Sequence, residues 1–220
     1  MKEYREKELK YLMIILILLF LVWCTPILSL DIIDIETLKI ISTVLESVIV
    51  SSVLSLGTFL SDSLISSRIK DKLVGLFFIP KAGATIFTRI NNDKVADDRF
   101  TTLEAKNKYS EIISELPSDK KTKYNYENAQ WYKIYQKHKD KGAVSQCQKD
   151  YLICRDLFIE TIIFLVLYFI ILIAFNDVTN FSWNLIAVFV AISVVTNIAT
   201  HVKMNRFVNT VIAVDISNNN

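Results

Sequence analysis

Apolar residues gather into four long runs, and between the second and third lies a stretch that alternates polar and apolar in short helical rhythms. The runs are Tyr11 to Leu30, about Leu38 to Leu60, Leu157 to Phe175, and Trp183 to about Val202. Each approaches the roughly 20 residues that a helix needs to cross about 30 Å of hydrocarbon. The first follows basic residues, as a signal peptide does, but its apolar run is too long and no Ala-x-Ala type cleavage site follows. The pattern therefore predicts an α-helical integral membrane protein: four transmembrane helices with a mainly helical cytosolic insertion between the second and third spans. Its expected parts are residues 1–60, an N-terminal tail and first hairpin; 61–156, the cytosolic domain; and 157–220, the second hairpin and C-terminal tail.

Within the insertion the second helix is expected to run on past the membrane through Ser66, Ser67 and Arg68. "RIKDKLVGLFFIP" mixes bases with apolar residues. It reads either as an interfacial helix, with Arg68, Lys70 and Lys72 at the headgroups, or as a core element of the cytosolic domain. "ATIFTRI", Ala84 to Ile90, is rich in β-branched residues and partly alternating, which predicts a short strand. "TTLEAKNKYSEIISEL" opens with Thr101 and Glu104 at capping-box spacing and ends at Pro117, so it predicts a helix. "SDKKTKYN" reads as an exposed basic loop, and "YENAQWYKIYQKHK" as a further helix with Trp131, Ile134 and Tyr135 on one face. From Ala143 no breaker intervenes before Asn176. One helix is expected to rise from the cytosol into the third span, about 50 Å long at 1.5 Å per residue, able to carry movement between them.

Composition agrees with a mixed protein: 52% hydrophobic yet 22% charged, with Gly 4 and Pro 3. Charge then orients it. The segment from Ser61 to Asp156 holds 18 bases and 13 acids. The N-terminal tail adds Lys2, Arg5, Lys7 and Lys10, and the C-terminal tail adds Lys203 and Arg206. The two short turns between spans hold only Lys39. By the positive-inside rule the termini and the insertion are cytoplasmic, in a bacterial inner membrane, with Trp23 and Trp183 as belt residues near the outer interface. Cys24, Cys147 and Cys154 form no paired framework and are expected as reduced thiols.

The second run is wet for a span. From Glu46 to Ser63 it carries seven hydroxyl side chains and an acid at its start. Glu46, Ser47, Ser51, Ser55 and Thr58 fall together on one helical face. The face suits close helix packing, self-association, or the lining of a pore. Asn184 and Asn197 are candidate partners for Glu46; Glu160 is expected to meet Arg155 or Lys203, and His201 to bond Asn197.

Site signatures are absent. There is no Walker loop, no HExxH and no nucleophile elbow, and His138 and His201 lie on separate segments. No catalytic residue, metal ligand or cofactor is expected. Asp97-Asp98 could hold a cation but reads as a loop. The aromatic and basic mixture from Lys120 to Lys141 suits a protein-docking face, contact with a ligand or nucleic acid, or a plain scaffold. The docking candidates are Trp131, Tyr132, Tyr135, Lys137 and Lys141.

The four-span outline, with "NAQWYKIYQKHKDKGAVSQCQKDYLICRD" leading into the third span, resembles the membrane subunits of bacterial anti-phage systems, the Kiwa membrane subunit in particular. That resemblance implies a membrane-embedded homo-oligomer, a tetramer, that senses phage at the envelope and engages a cytosolic DNA-binding protein, touching nucleic acid at most indirectly. Pore-forming defence effectors share the outline. The expected function is a non-enzymatic membrane sensor or scaffold subunit; the alternative is a gated pore or depolarising effector.

Overall fold

A computed structural model describes residue 14 and residues 65–75, 80–174 and 183–217. The elements are α1 (Ser67–Val74), a 3-10 turn (Ala82–Ala84), α2 (Ile86–Asn91), α3 (Thr102–Lys108), α4 (Ser110–Ser114), α5 (Lys120–His138), α6 (Gly142–Ala174) and α7 (Trp183–Ser217). There is no strand among the described residues. One helix among them, α7, is long and apolar enough to cross a membrane. The expected third span falls on α6, and the first two spans, apart from residue 14, lie outside the described residues.

The strand expected at Ala84 to Ile90 is instead helix α2. Ile86, Phe87 and Ile90 are fully buried, and their i, i+1, i+4 spacing makes one helical face. Burying that face outweighs β propensity. Thr85 gives α2 no side-chain cap. The cap comes from α5: Glu127 accepts a bond from the Thr88 backbone N–H at 3.0 Å and another from the Thr88 hydroxyl. At the other end Asp93 adopts φ 54°. The Lys94 N–H then reaches the Arg89 carbonyl at 2.8 Å and the Asp93 N–H reaches that of Ile90 at 3.2 Å, the paired bonds of a Schellman ending with Asp in the usual Gly place.

Helix α3 begins with the capping box its sequence promised: Thr101 accepts from the Glu104 N–H, and Glu104 accepts from the Thr101 N–H. The single helix expected as far as Leu116 is broken at Tyr109 (φ −105°, ψ 21°), and α4 follows. The basic loop expected at Ser118 to Asn125 is mostly the first turns of α5. Asp119 caps it, accepting from the Thr122 N–H at 2.8 Å, and the lysines that follow are respectable helix formers once the cap has set the start. The helix expected to continue through Ser66 is interrupted there, and α1 starts at Ser67. Helix α6 is unbroken over 33 residues. Helix α7 does not stop near Val202 but runs on to Ser217.

The described chain forms two compact units. The first holds residues 65–70, 155–174 and 183–197. In it Phe164 of α6 meets Phe189 of α7 with ring centroids 6.3 Å apart. Side chains turned inward include Thr161, Ser193 and Thr196, while Val166, Phe169, Ile170, Ile173, Val190, Val194 and Val195 are exposed. The second holds residues 71–154 and 198–217. Residues 198–217, grouped by sequence with the second hairpin and tail, form its central strut. From Phe207 to Ala213 every residue is buried, as for a helix enclosed on all sides. Trp131 and Tyr135 set their rings edge-on to Phe207 at 5.4 and 5.6 Å, and Tyr151 stacks on it at 6.3 Å.

Candidate functional site

Polar side chains of the second unit converge most densely on Asp215, near the end of α7. The Tyr109 hydroxyl donates to Oδ2 at 2.8 Å. His138 Nε2 lies 2.7 Å from Oδ1. Lys108 Nζ stands 3.0 Å from Oδ2 and also donates to the Asp215 backbone carbonyl. Three helical regions thus meet at one carboxylate: the end of α3, the last turn of α5, and α7. Burial pushes the Asp215 carboxyl up, but the bonds from His138, Tyr109 and Lys108 outweigh it, so the group sits below the ordinary carboxylate range. Burial first, and the adjacent Asp215 second, drive the Tyr109 phenol well above its usual range. The pair is therefore an anion and a firmly protonated phenol at neutral pH, and the cluster acts as a clasp rather than a source of nucleophiles.

Other carboxylates of this unit also join elements. Asp97 takes a two-pronged grip from Arg99, at 2.8 Å from Nε and 2.7 Å from Nη2, and the remaining Arg99 nitrogen reaches the Thr210 hydroxyl at 2.8 Å. The Asp97-Asp98 cation site considered from sequence is thus half occupied by an arginine. Hydrogen bonding to Arg99 holds the Asp97 carboxyl below its usual range. Asp71 meets Lys81 at 2.6 Å and the Tyr151 hydroxyl at 2.9 Å. Lys203 pairs with Asp150 at 2.8 Å, and His201 Nε2 lies 3.2 Å from the Val74 carbonyl oxygen. No group of three His, Cys, Asp or Glu side chains suited to a metal occurs among the described residues. Cys147 and Cys154 are both free thiols, and burial raises the Cys154 thiol.

Two of the five docking candidates must be withdrawn. Trp131 and Tyr135 are buried in the core of the second unit, stacked on each other at 5.6 Å. Their i, i+4 spacing marked a core face. Tyr132, Lys137 and Lys141 are exposed. Among the interface candidates, Arg68 and Lys72 are exposed, and so is Trp183. Lys70 is not at an outer surface: it is 4% exposed and faces Asp156 at 3.5 Å. Asp156 also takes Arg155 at 2.9 Å, and Arg155 reaches the Ser67 hydroxyl at 2.8 Å. Helical spacing places Lys70 on the opposite side of α1 from Arg68 and Lys72, which a count of bases does not reveal. Trp23 and the face of Glu46, Ser47, Ser51, Ser55 and Thr58 lie outside the described residues.

The Asp215 clasp escaped the sequence reading because its members are 106 and 77 residues from their partners. One local signal existed: "FVNTVIAVDI" has core periodicity ending in a lone acid. No protein-family model matches the chain, and neither a curated protein nor a solved structure does.

Proposed function

We propose that the protein is a non-enzymatic, membrane-anchored docking subunit, held in a bacterial inner membrane by its apolar helices, with residues 71–154 and 203–217 in the cytosol. The observation that carries this reading is an inversion along α7. Up to Val202 its exposed residues are Trp183, Ala187, Val190, Ala191, Val194, Val195, Ile198 and Val202, with Asn184 the one polar member at the outer end, while Ser193, Thr196 and Thr200 are buried. From Met204 to Ala213 the apolar residues are buried and Asn205 and Arg206 are exposed. Water favours the second arrangement and lipid the first. Helix α6 carries the same outward apolar set at Val166, Phe169, Ile170 and Ile173. Two of the threonine hydroxyls inside bond their own helix, Thr161 to the Leu157 carbonyl at 2.8 Å and Thr196 to that of Ile192 at 2.7 Å, as polar groups in hydrocarbon require, while the Ser193 hydroxyl is buried without a partner among the described residues.

A docking rather than catalytic role fits the way Asp97, Glu127, Asp150 and Asp215 are each engaged in joining helices. Four spans, cytoplasmic termini and a homo-oligomer, a tetramer in the outline of the Kiwa membrane subunit, complete the proposal, with phage sensing at the envelope as its biological setting. The pore alternative rests on Glu46 to Thr58, outside the described residues. The test is alkaline carbonate extraction with topology reporters. The protein should stay in the membrane pellet, and reporters in the 118–119 loop and at the C-terminus should report cytoplasm. Release by carbonate, or a periplasmic signal from either reporter, overturns the reading.

A further inference from the structure

Two groups of cations in the second unit stand in contrast, apart from Lys72, Lys94, Lys120 and Lys121, which are also exposed. Lys81, Lys106, Lys108 and Lys203 each meet a carboxylate at 2.6 to 3.0 Å. The lysines at the C-terminal half of α5 and the turn after it do not. Lys133, Lys137, Lys139 and Lys141 are all exposed, and the one contact among their amino groups is Lys133 to the Gln130 side-chain oxygen at 3.3 Å. Tyr132, Lys133, Gln136 and Lys137 follow an i, i+1, i+4, i+5 rhythm, so they share one face, opposite the buried Glu127, Trp131 and Ile134. The Tyr132 ring is 52% exposed, yet it is backed by Tyr135 at 5.7 Å, which itself stacks on Trp131. A large aromatic held from behind and ringed by unneutralised cations is the makeup of an interface anchor with a steering rim.

We propose that Tyr132, Lys133, Gln136 and Lys137, extended by Lys139 and Lys141, form the surface that docks an acidic segment of a protein partner; this rests on the reading of the protein as a membrane-anchored docking subunit. Three features single out that occupant. The face carries no exposed aliphatic side chain that would enter a lipid surface. Between Lys120 and Lys141 all cations are lysine and none is arginine, so the planar fork that grips phosphates in nucleic acid is missing. The surplus is positive, with Asp140 the one exposed acid in the 132–141 stretch, which an acidic chain complements.

The experiment uses the full chain in nanodiscs and fluorescence anisotropy with three labelled probes: an Asp/Glu-rich peptide, a single-stranded oligonucleotide of equal charge, and phosphatidylglycerol vesicles. The variants are Lys133→Glu/Lys137→Glu/Lys141→Glu, Tyr132→Ala, and a charge-matched control at the other end of the same helix, Lys120→Glu/Lys121→Glu/Lys123→Glu. Circular dichroism verifies their folding. At physiological salt, which screens distant charges, the first variant should lose peptide affinity by more than about tenfold and the control by less than about twofold. Tyr132→Ala should lose about fivefold, because an anchoring ring contributes contact that steering charge alone does not. Equal losses in the two lysine variants, no effect of Tyr132→Ala, or tighter binding of oligonucleotide or vesicles than of peptide would overturn the proposal. Carbonate extraction of the same proteins keeps the two readings apart. Wild type retained in membranes without binding peptide sinks the docking surface alone, and wild type released by carbonate sinks the anchor.

Discussion

Gly83 lies hard against the Trp131 indole. A Cβ placed there would stand 2.9 Å from Trp131 Cε3 and 3.0 Å from Cδ2, and the indole cannot retreat because Phe207 and Tyr135 wedge it from other sides. Gly83→Ala should cost about 1–3 kcal/mol through overpacking. Gly142→Ala, where a Cβ meets nothing within 4 Å, should stay within about 0.5 kcal/mol of wild type; urea melts of the two measure the difference. Asp215 has a different weight. Asp215→Asn keeps the shape but removes the charge opposite Lys108 and turns one acceptor into a donor facing Tyr109 or His138. A loss of about 2–4 kcal/mol is expected. The sign of the pH dependence follows from the depressed Asp215 carboxyl. Its stabilisation is fully present above the unfolded value near 4 and is lost as pH falls through the lower folded value. For Tyr109, raised by burial, stabilisation is present below about 10 and declines as pH climbs beyond it. Thermal melts should show Asp215→Asn with a flatter acid limb than wild type; parallel limbs would mean another group controls it.

At the scale of elements, caps decide where helices begin. Thr101 and Asp119 each satisfy an N-terminal N–H of the helix that follows. Thr101→Ala and Asp119→Ala should each cost about 1 kcal/mol, read as a shift in melting temperature. Glu127→Ala should cost more than either, because the wholly buried carboxylate caps α2 from another helix and its removal strands the Thr88 N–H. This contrast also explains which elements could be read from sequence. The α3 box was legible because Thr101 and Glu104 are three residues apart, and α6 because nothing in Ala143 to Ala174 breaks a helix. Helix α2 was not, because its cap lies 39 residues away and its β-branched residues imitate a strand. The Asp119 cap was local and visible, but the lysines after it drew attention as loop charge. Trp131 and Tyr135 had the right rhythm for a face and were given the wrong one, since periodicity locates a stripe without saying whether core or partner covers it.

At the scale of the molecule, one helix changes surroundings along its length. Helix α7 carries outward valines and isoleucines to Val202 and inward ones from Val208, and sequence hydropathy alone cannot separate the two because both stretches are apolar. It therefore marked an end near Val202, where Lys203 and Arg206 intervene, although the helix continues. Lys203 is paired with Asp150, and Arg206 sits on the exposed side of a strut otherwise buried. The lipid reading of the outward set makes a sharp demand. Val195, 65% exposed, should tolerate no charge, since a lysine near the centre of a span costs about 2.5–3.5 kcal/mol on insertion scales. Asn205→Lys, ten residues along the same helix and also exposed, gives up an exposed bond from Arg89 at 3.2 Å and should cost no more than about 1 kcal/mol. Val211→Lys, fully buried, should unfold the body whichever solvent surrounds α7, and so controls for damage that is unrelated to lipid. Carbonate extraction after expression should place Val195→Lys largely in the soluble or degraded fraction, with Asn205→Lys pelleting like wild type. If Val195→Lys pellets and folds as well as Asn205→Lys, water and not hydrocarbon faces that side of the helix.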